Sequence, residues 1–395
     1  MTSIIVPQVQ TQLQQHQACA MDKNFCFAKN CARESSLELL PSPAAPKETL
    51  LVCKTGCCGA QEKVEEKNDE IVDNSRRVLS DIVVNIKYAR FIKEKNRRET
   101  WEEVCERHKA MFVRRFPALK ARLDDIYNKF VIPKLILPSM RGLQFAGAPI
   151  EKNNMRMFNC AFVAIDDRRV FAEIMFLLMS GCGVGFSVQW HHIARLPQVS
   201  IQPSRGNYKH IIEDSMEGWA DAVAAIMDYY FDLNDYPKFD YRLIRPKGSA
   251  LSSGGKAPGH VPLKNCLEAL DRLLNNYVTS KVGPFGEKTN LDAITVHDAV
   301  CHISVAVLSG GIRRSALLSL FTLEDAAMRR CKHGEWWKDN PQRGRSNNSA
   351  ALYHGKVTKE QWLSLWKDIV DSHCGEPGAY WTNDEEMGCN PCCEI

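Results

Sequence analysis

The chain has 395 residues, 45% of them hydrophobic, a formal net charge of +4 and sixteen cysteines. That length can bury a sizeable core as one large domain or two, while so small a charge gives no basic stripe for a nucleic-acid partner. No apolar run reaches the roughly 18 residues of a membrane span, and the N-terminus lacks the basic flank and long apolar segment of a signal peptide. A soluble cytoplasmic protein with reduced, redox-active or metal-bound thiols is expected, not a disulfide framework.

Residues 1–75 read as an appendage. QVQTQLQQHQ, LPSPAAPKE and EKVEEKNDE are too polar to bury a core of their own. Cys19, Cys26, Cys31, Cys53, Cys57 and Cys58 lie here without the CxxC pairing of most small zinc sites. A disordered tail is expected, with a zinc knot as the alternative.

From about residue 76 the pattern changes. Thr100-Trp101-Glu102-Glu103 is a capping box that opens a helix to about Val113, and a second helical stretch follows Pro117 to about Phe130. After the Gly- and Pro-punctuated LPSMRGLQFAGAP, the run from Cys160 to Ile165 reads as a strand and Arg169–Met179 as a helix. Gly181-Cys182-Gly183-Val184-Gly185-Phe186 then reads as a tight turn feeding a strand, with nucleotide contact as the other reading.

Asp214-Ser215-Met216-Glu217 caps a helix to about Phe231. The loop 245–259 that follows offers Arg245, Lys247, Gly254 and Gly255, which suit either a polyphosphate or a flexible surface loop. Helices are expected over about 261–277 and 290–308, the second stopped by Gly310-Gly311. Residues 312–321 read as a strand, Thr322 and Thr358 as caps of two further helices, and Ser349–Tyr353 between them as strand-like. Helices alternating with short apolar strands point to an α/β fold with a mostly parallel sheet or barrel. Cys105, Cys266, Cys301 and Cys331 fall in helical stretches and read as packing residues.

The chain ends in Asn390-Pro391-Cys392-Cys393-Glu394-Ile395. In an extended backbone Asn390, Cys392 and Glu394 share one face. An amide, a thiol and a carboxylate side by side suit redox or radical chemistry on a hydroxylated substrate. The competing reading takes Cys389 and Cys392 as a CxxC zinc or dithiol motif, with Cys393, Cys374 and His373 as further ligands. Cys160, alone in an apolar run, reads as a small buried hydrophobe.

LPSMRGLQFAG, FNCAFVAI, MSGCGVGFSV, EDSMEGW, IRPKGSALSSGGKAPG, GGIRRSA, SNNSA and NPCCEI occur in this order. Together they resemble the ribonucleotide reductases, in particular the adenosylcobalamin-dependent (class II) ribonucleoside-triphosphate reductases, from about residue 76 to the end. The resemblance implies a helical region over 76–140. Residues 141–395 would then form the first half of a ten-stranded α/β barrel, ending at its finger loop. It also implies that Cys392 becomes a thiyl radical that takes the 3′-hydrogen of a ribonucleotide. Glu394 would accept the 3′-hydroxyl proton, Asn390 hydrogen-bond the substrate hydroxyls, and Cys160 be the first of two reducing cysteines. Ser139 and Asn159 would touch substrate. The loop Ser309–Ala316, with Gly310, Gly311, Arg313 and Arg314, would relay a deoxynucleotide effector. Adenosylcobalamin, a ribonucleoside triphosphate and a thioredoxin-like dithiol are the implied cofactor, substrate and reductant, and no metal ligand set is assigned. The family has Gly where this chain has Cys393, and its second reducing cysteine follows the motif. A complementary C-terminal half is therefore expected as a partner, the chain alone being inactive. A nucleotide-binding remnant without catalysis is the other reading.

Overall fold

The computed structural model describes residues 74–201, 208–231, 234–250, 256–282, 287–308 and 316–392. The expected appendage, with its six cysteines, lies almost wholly outside them. So do Gly254, Gly255, Ser309, Gly310, Gly311, Arg313, Arg314, Cys393 and Glu394.

The centre is a five-stranded sheet in which every neighbouring pair is parallel and the strands stand in chain order. They are β1 (Cys160–Ala164), β2 (Gly183–Ser187), β3 (Leu317–Thr322), β4 (Ser346–Tyr353) and β5 (Gly378–Thr382). Parallel neighbours need crossover connections, and helices supply them. The longer helices among the described residues, in chain order, are α1 (Trp101–Arg115), α2 (Val170–Ser180), α3 (Met216–Tyr230), α4 (Val261–Val282), α5 (Ala293–Leu308) and α6 (Lys359–Asp371). α2 joins β1 to β2, and α6 joins β4 to β5. Helices α3, α4 and α5 fill the long excursion between β2 and β3. A parallel α/β arrangement of five strands agrees with half of a ten-stranded barrel. No helix among the described residues is long and apolar enough to cross a membrane.

One face of the sheet carries the main core. Val184 and Phe186 of β2, Leu317 and Phe321 of β3, and Ala350 and Leu352 of β4 pack with Phe171, Ile174 and Leu178 of α2 and with Val296, Val300 and Ile303 of α5. These side chains recur every second residue in the strands and at helical spacing in the helices, as burial of one face requires. Three smaller clusters join α1 to its neighbours, among them Met111 with Ala146 and Ile150.

Local signals place several boundaries. Thr100 and Thr358 form complete capping boxes, and Ser215 accepts a hydrogen bond from the Gly218 amide. Gly181 closes α2 in the left-handed region, φ +90°. Two expectations fail. Thr322 caps no helix: it ends β3, its hydroxyl accepts from the Trp190 amide at 2.9 Å, and Asp325 caps the short helix that follows. The helix expected over 261–277 runs on to Val282.

Candidate active site

The face of the sheet opposite the core is crossed by the segment that follows β5. From Thr382 it passes Glu385 and Glu386, then lays Gly388 on the Phe162 ring, Cys389 and Asn390 over Gly185, and Pro391 over Gly183. This strap therefore runs against the direction of β1 and β2 and arrives at the starting ends of both. A Cβ on Gly185 would lie 1.9 Å from the Cys389 carbonyl oxygen, and one on Gly183 would lie 3.2 Å from Cys160 Sγ and 3.3 Å from Pro391 Cγ. The glycine-rich motif is thus a strand whose glycines, two apart, clear one face for main chain to lie on. The tight turn in that motif is confined to Gly181.

At the end of the strap Cys392 Sγ stands 3.3 Å from Cys160 Sγ. Asn159 Nδ2 lies 3.3 Å from Cys160 Sγ and 3.7 Å from Cys392 Sγ, so one amide faces both sulfurs. Cys392 and Asn159 are exposed and Cys160 is half-buried. Residues 390–392 are not extended. The Asn390 side-chain oxygen accepts from the Cys392 amide at 3.1 Å, an Asx turn through Pro391. This fold-back, and not strand alternation, aims the thiol at Cys160. It leaves the Asn390 NH2 group as the donor of that side chain.

The structure brings together Cys160, Cys392, Asn159 and Asn390. Ser139 instead caps a short helix, accepting from the Gly142 amide at 3.0 Å. The next residue of that helix but one, Arg141, donates to the Gly181 carbonyl just ahead of β2. Arg245 is committed to Asp214 at 2.5 Å, and Lys247 is exposed on a loop closed by Gly248 N to Ala257 O. Cys389, Cys392, Cys374 and His373 do not converge as metal ligands. The group with metal-ligand spacing among the described residues is His191, His192 and Glu386. Sequence reasoning missed that group, and it missed the slot made by Gly183 and Gly185. The period-two glycines were the available signal for the slot.

The thiols of Cys105, Cys266, Cys301 and Cys331, all buried, behave as packing groups. Burial pushes Cys266 up to about 12, and pushes Cys105 and Cys331 up to about 11. Cys301, wholly enclosed, is also raised. Little thiolate forms at such positions. Cys331 sits in a turn after a short helix, and the remaining three lie within helices.

No family model matches the chain. A probable adenosylcobalamin-dependent ribonucleoside-triphosphate reductase of Dictyostelium discoideum is 27% identical over 413 aligned residues, covering 90% of this chain and 51% of the relative. The adenosylcobalamin-dependent ribonucleoside-triphosphate reductase of Lactobacillus helveticus is 27% identical, covering 78% of this chain and 51% of the relative. The Euglena gracilis enzyme of the same name is 27% identical over 70% of this chain. The crystal structure of a B-12 dependent (class II) ribonucleotide reductase superposes with a TM-score of 0.57 at 25% identity, over 69% of this chain and 45% of that one. The chain spans about half the length of the curated relatives it matches. It is a homologue of the adenosylcobalamin-dependent ribonucleoside-triphosphate reductases over the N-terminal part of those proteins.

Proposed function

We propose that this chain carries the radical-forming thiol and one of the two reducing thiols of a site that converts ribonucleoside triphosphates to deoxyribonucleotides. The observation that carries the reading is the 3.3 Å approach of Cys392 Sγ to Cys160 Sγ on the strap-covered face of the sheet, with Asn159 beside both. Reducing an unactivated C2′–O bond consumes two electrons and two protons. Two thiols supply them and become a disulfide, and the 2′-hydroxyl leaves as water. Cys160 is one of those thiols; the second belongs to a complementary segment that completes the barrel.

Cys392, as thiyl, takes the 3′-hydrogen and returns it at the end of the cycle. The Asn390 NH2 group is free to donate to the substrate hydroxyls, while Glu394 is the base for the 3′-hydroxyl proton. Asn159 orients the two sulfurs, and Ser139 contacts substrate. Residues 309–316, which precede β3 in the sequence, carry the effector response through Arg313. Adenosylcobalamin, when bound, supplies the oxidising equivalent through homolysis of its cobalt–carbon bond. The residues present fit it in that Cys392 is exposed and Phe158, next to Asn159, offers exposed apolar ring surface for a flat cofactor. A thioredoxin-like dithiol reopens the disulfide.

The surface around β5 supports a complementary segment as partner. β5 pairs with β4 alone among the described strands. Beside it Leu363, Trp366 and Val370 form an exposed stripe along α6, and Trp381 of β5 is exposed as well. The test joins the chain to the C-terminal half of a relative and supplies adenosylcobalamin, a dithiol and a ribonucleoside triphosphate. Deoxynucleotide is expected from the pair and not from the chain alone, and Cys392→Ser abolishes it while nucleotide binding survives. Binding without any reduction in the reconstituted pair would select the non-catalytic reading, and turnover by the isolated chain would refute the need for a partner.

A further inference from the structure

The strap is anchored at both ends, and the two anchors differ in chemistry. At its far end from the cysteines, just past the last residue of β2, His191 and His192 lie on a short helix opposite Glu386 of the strap. One ring nitrogen from each histidine and one carboxylate oxygen all lie within 4.8 Å of one another. His192 Nε2 is 3.3 Å from Glu386 Oε2, close to the roughly 3.3–3.5 Å that separates two ligands of a tetrahedral zinc ion.

One nitrogen of each ring is already held by a neighbouring group. His191 Nε2 donates to the Glu385 carbonyl at 3.1 Å, which leaves Nδ1 with its lone pair. His192 Nδ1 is 2.8 Å from the Ser187 hydroxyl, which holds the ring with Nε2 toward Glu386. Arg195 grips both carboxylate oxygens, Nη2 to Oε1 at 2.7 Å and Nη1 to Oε2 at 3.1 Å, which fixes the carboxylate with Oε2 facing His192. His192 is fully buried whereas Glu386 is exposed, so the group has a path of entry for an ion.

We propose that His191, His192 and Glu386 form a binding site for a divalent transition-metal ion of the zinc class, which fastens the foot of the strap to the end of β2. Two imidazoles and a carboxylate suit such an ion, with water in the fourth position. The site is independent of the radical chemistry and stands whether or not that reading holds.

The full chain, reduced and stripped with chelator, is titrated with Zn2+ and with Co2+, and bound metal is counted by elemental analysis. His191→Ala and Glu386→Ala are each expected to lose one equivalent relative to the unaltered chain, or to weaken it by about tenfold or more. The Co2+ bands belonging to that equivalent carry no thiolate charge-transfer absorption. Cys389→Ser and Cys392→Ser retain it. Circular dichroism checks that each variant is folded; Glu386, being exposed, is the variant least able to disturb the core. The proposal is overturned if both His191→Ala and Glu386→Ala keep every equivalent, if the cysteine variants lose the one in question, or if the unaltered chain binds none, which would leave an ion pair only.

Discussion

Strand β2 shows two surfaces built by alternate residues of one five-residue stretch. Val184 and Phe186, both fully buried, point into the packed layer formed by α2 and α5. Gly183 and Gly185 point the other way and present bare main chain, on which the strap lies. The first face is about stability, where volume must be filled. The second is about placement, where volume must be absent so that Cys392 reaches Cys160. The thiols divide along similar lines: Cys266 and Cys301 are sealed among helices with their pKa raised by burial, whereas Cys160 and Cys392 meet at a surface open to solvent.

Substitutions on the two faces should therefore separate stability from geometry. The largest loss is expected on the packed side. Phe186→Ala removes a fully buried ring and costs about 3–5 kcal/mol in urea denaturation. The molecules still folded should join Cys160 to Cys392 as readily as before when treated with a mild disulfide oxidant. On the other face Gly185→Ala should do the reverse. Its Cβ meets main chain, 1.9 Å from the Cys389 oxygen and 3.1 Å from Asn390 Cα, so no flexible side chain can yield and the strap must lift. Cys160–Cys392 cross-linking, read by peptide mapping, should slow by about tenfold or more while the melting transition of the sheet changes little. Equal cross-linking in Gly185→Ala would break the comparison.

The packed face also holds a polar island whose effect is smaller and set by acid. Asp298 of α5 receives Arg343 through both carboxylate oxygens and lies 3.2 Å from His297 Nδ1, and His297 Nε2 reaches Asn348 of β4 at 3.0 Å. Burial alone would raise the Asp298 pKa. The hydrogen bonds from His297 and Arg343 outweigh it and hold the carboxyl down at about 2. A folded-state pKa below the unfolded one stabilises fully above about pH 4, and that contribution is lost as pH falls toward 2. The stability gap between the unaltered chain and Asp298→Asn should therefore narrow by about 2 kcal/mol on acidification across that window. A gap that stays constant would remove Asp298 from the account.

How much of this was legible in the sequence depended on the range of the interaction. Thr100 and Thr358 announce their helices because a capping box is complete within four residues. Thr322 misled because a threonine that ends a strand and one that starts a helix look alike until the partner, here the Trp190 amide, is known. The parallel fold class followed from alternating helices and strands, and the family from eight motifs in order; strand order itself rests on pairings that no local window contains. At the site, the residue types were legible and the path was not. Alternation put Asn390 and Cys392 on one face of a strand, but the Asn390 side chain closes a turn on the Cys392 amide instead. The spacing of Gly183 and Gly185 was visible, yet what lies on them comes from the far end of the chain.

The smallest expected effect is the finest test of the slot. A Cβ on Gly183 would meet Cys160 Sγ at 3.2 Å, Pro391 Cγ at 3.3 Å and Ala316 Cβ at 3.5 Å. These are side-chain atoms; the first two have to give by only a few tenths of an ångström and the third is in ordinary contact, unlike the main chain facing Gly185. Gly183→Ala should therefore leave the strap in place but turn the Cys160 thiol away from Cys392. Cross-linking should slow only a few-fold, and Gly183→Ala combined with Cys160→Ser should regain the melting temperature of Cys160→Ser alone, because the smaller, shorter-bonded hydroxyl relieves the contact. A loss in Gly183→Ala as large as that in Gly185→Ala would mean that the strap responds to any added volume on this face, and the distinction between a main-chain slot and a side-chain contact would fall.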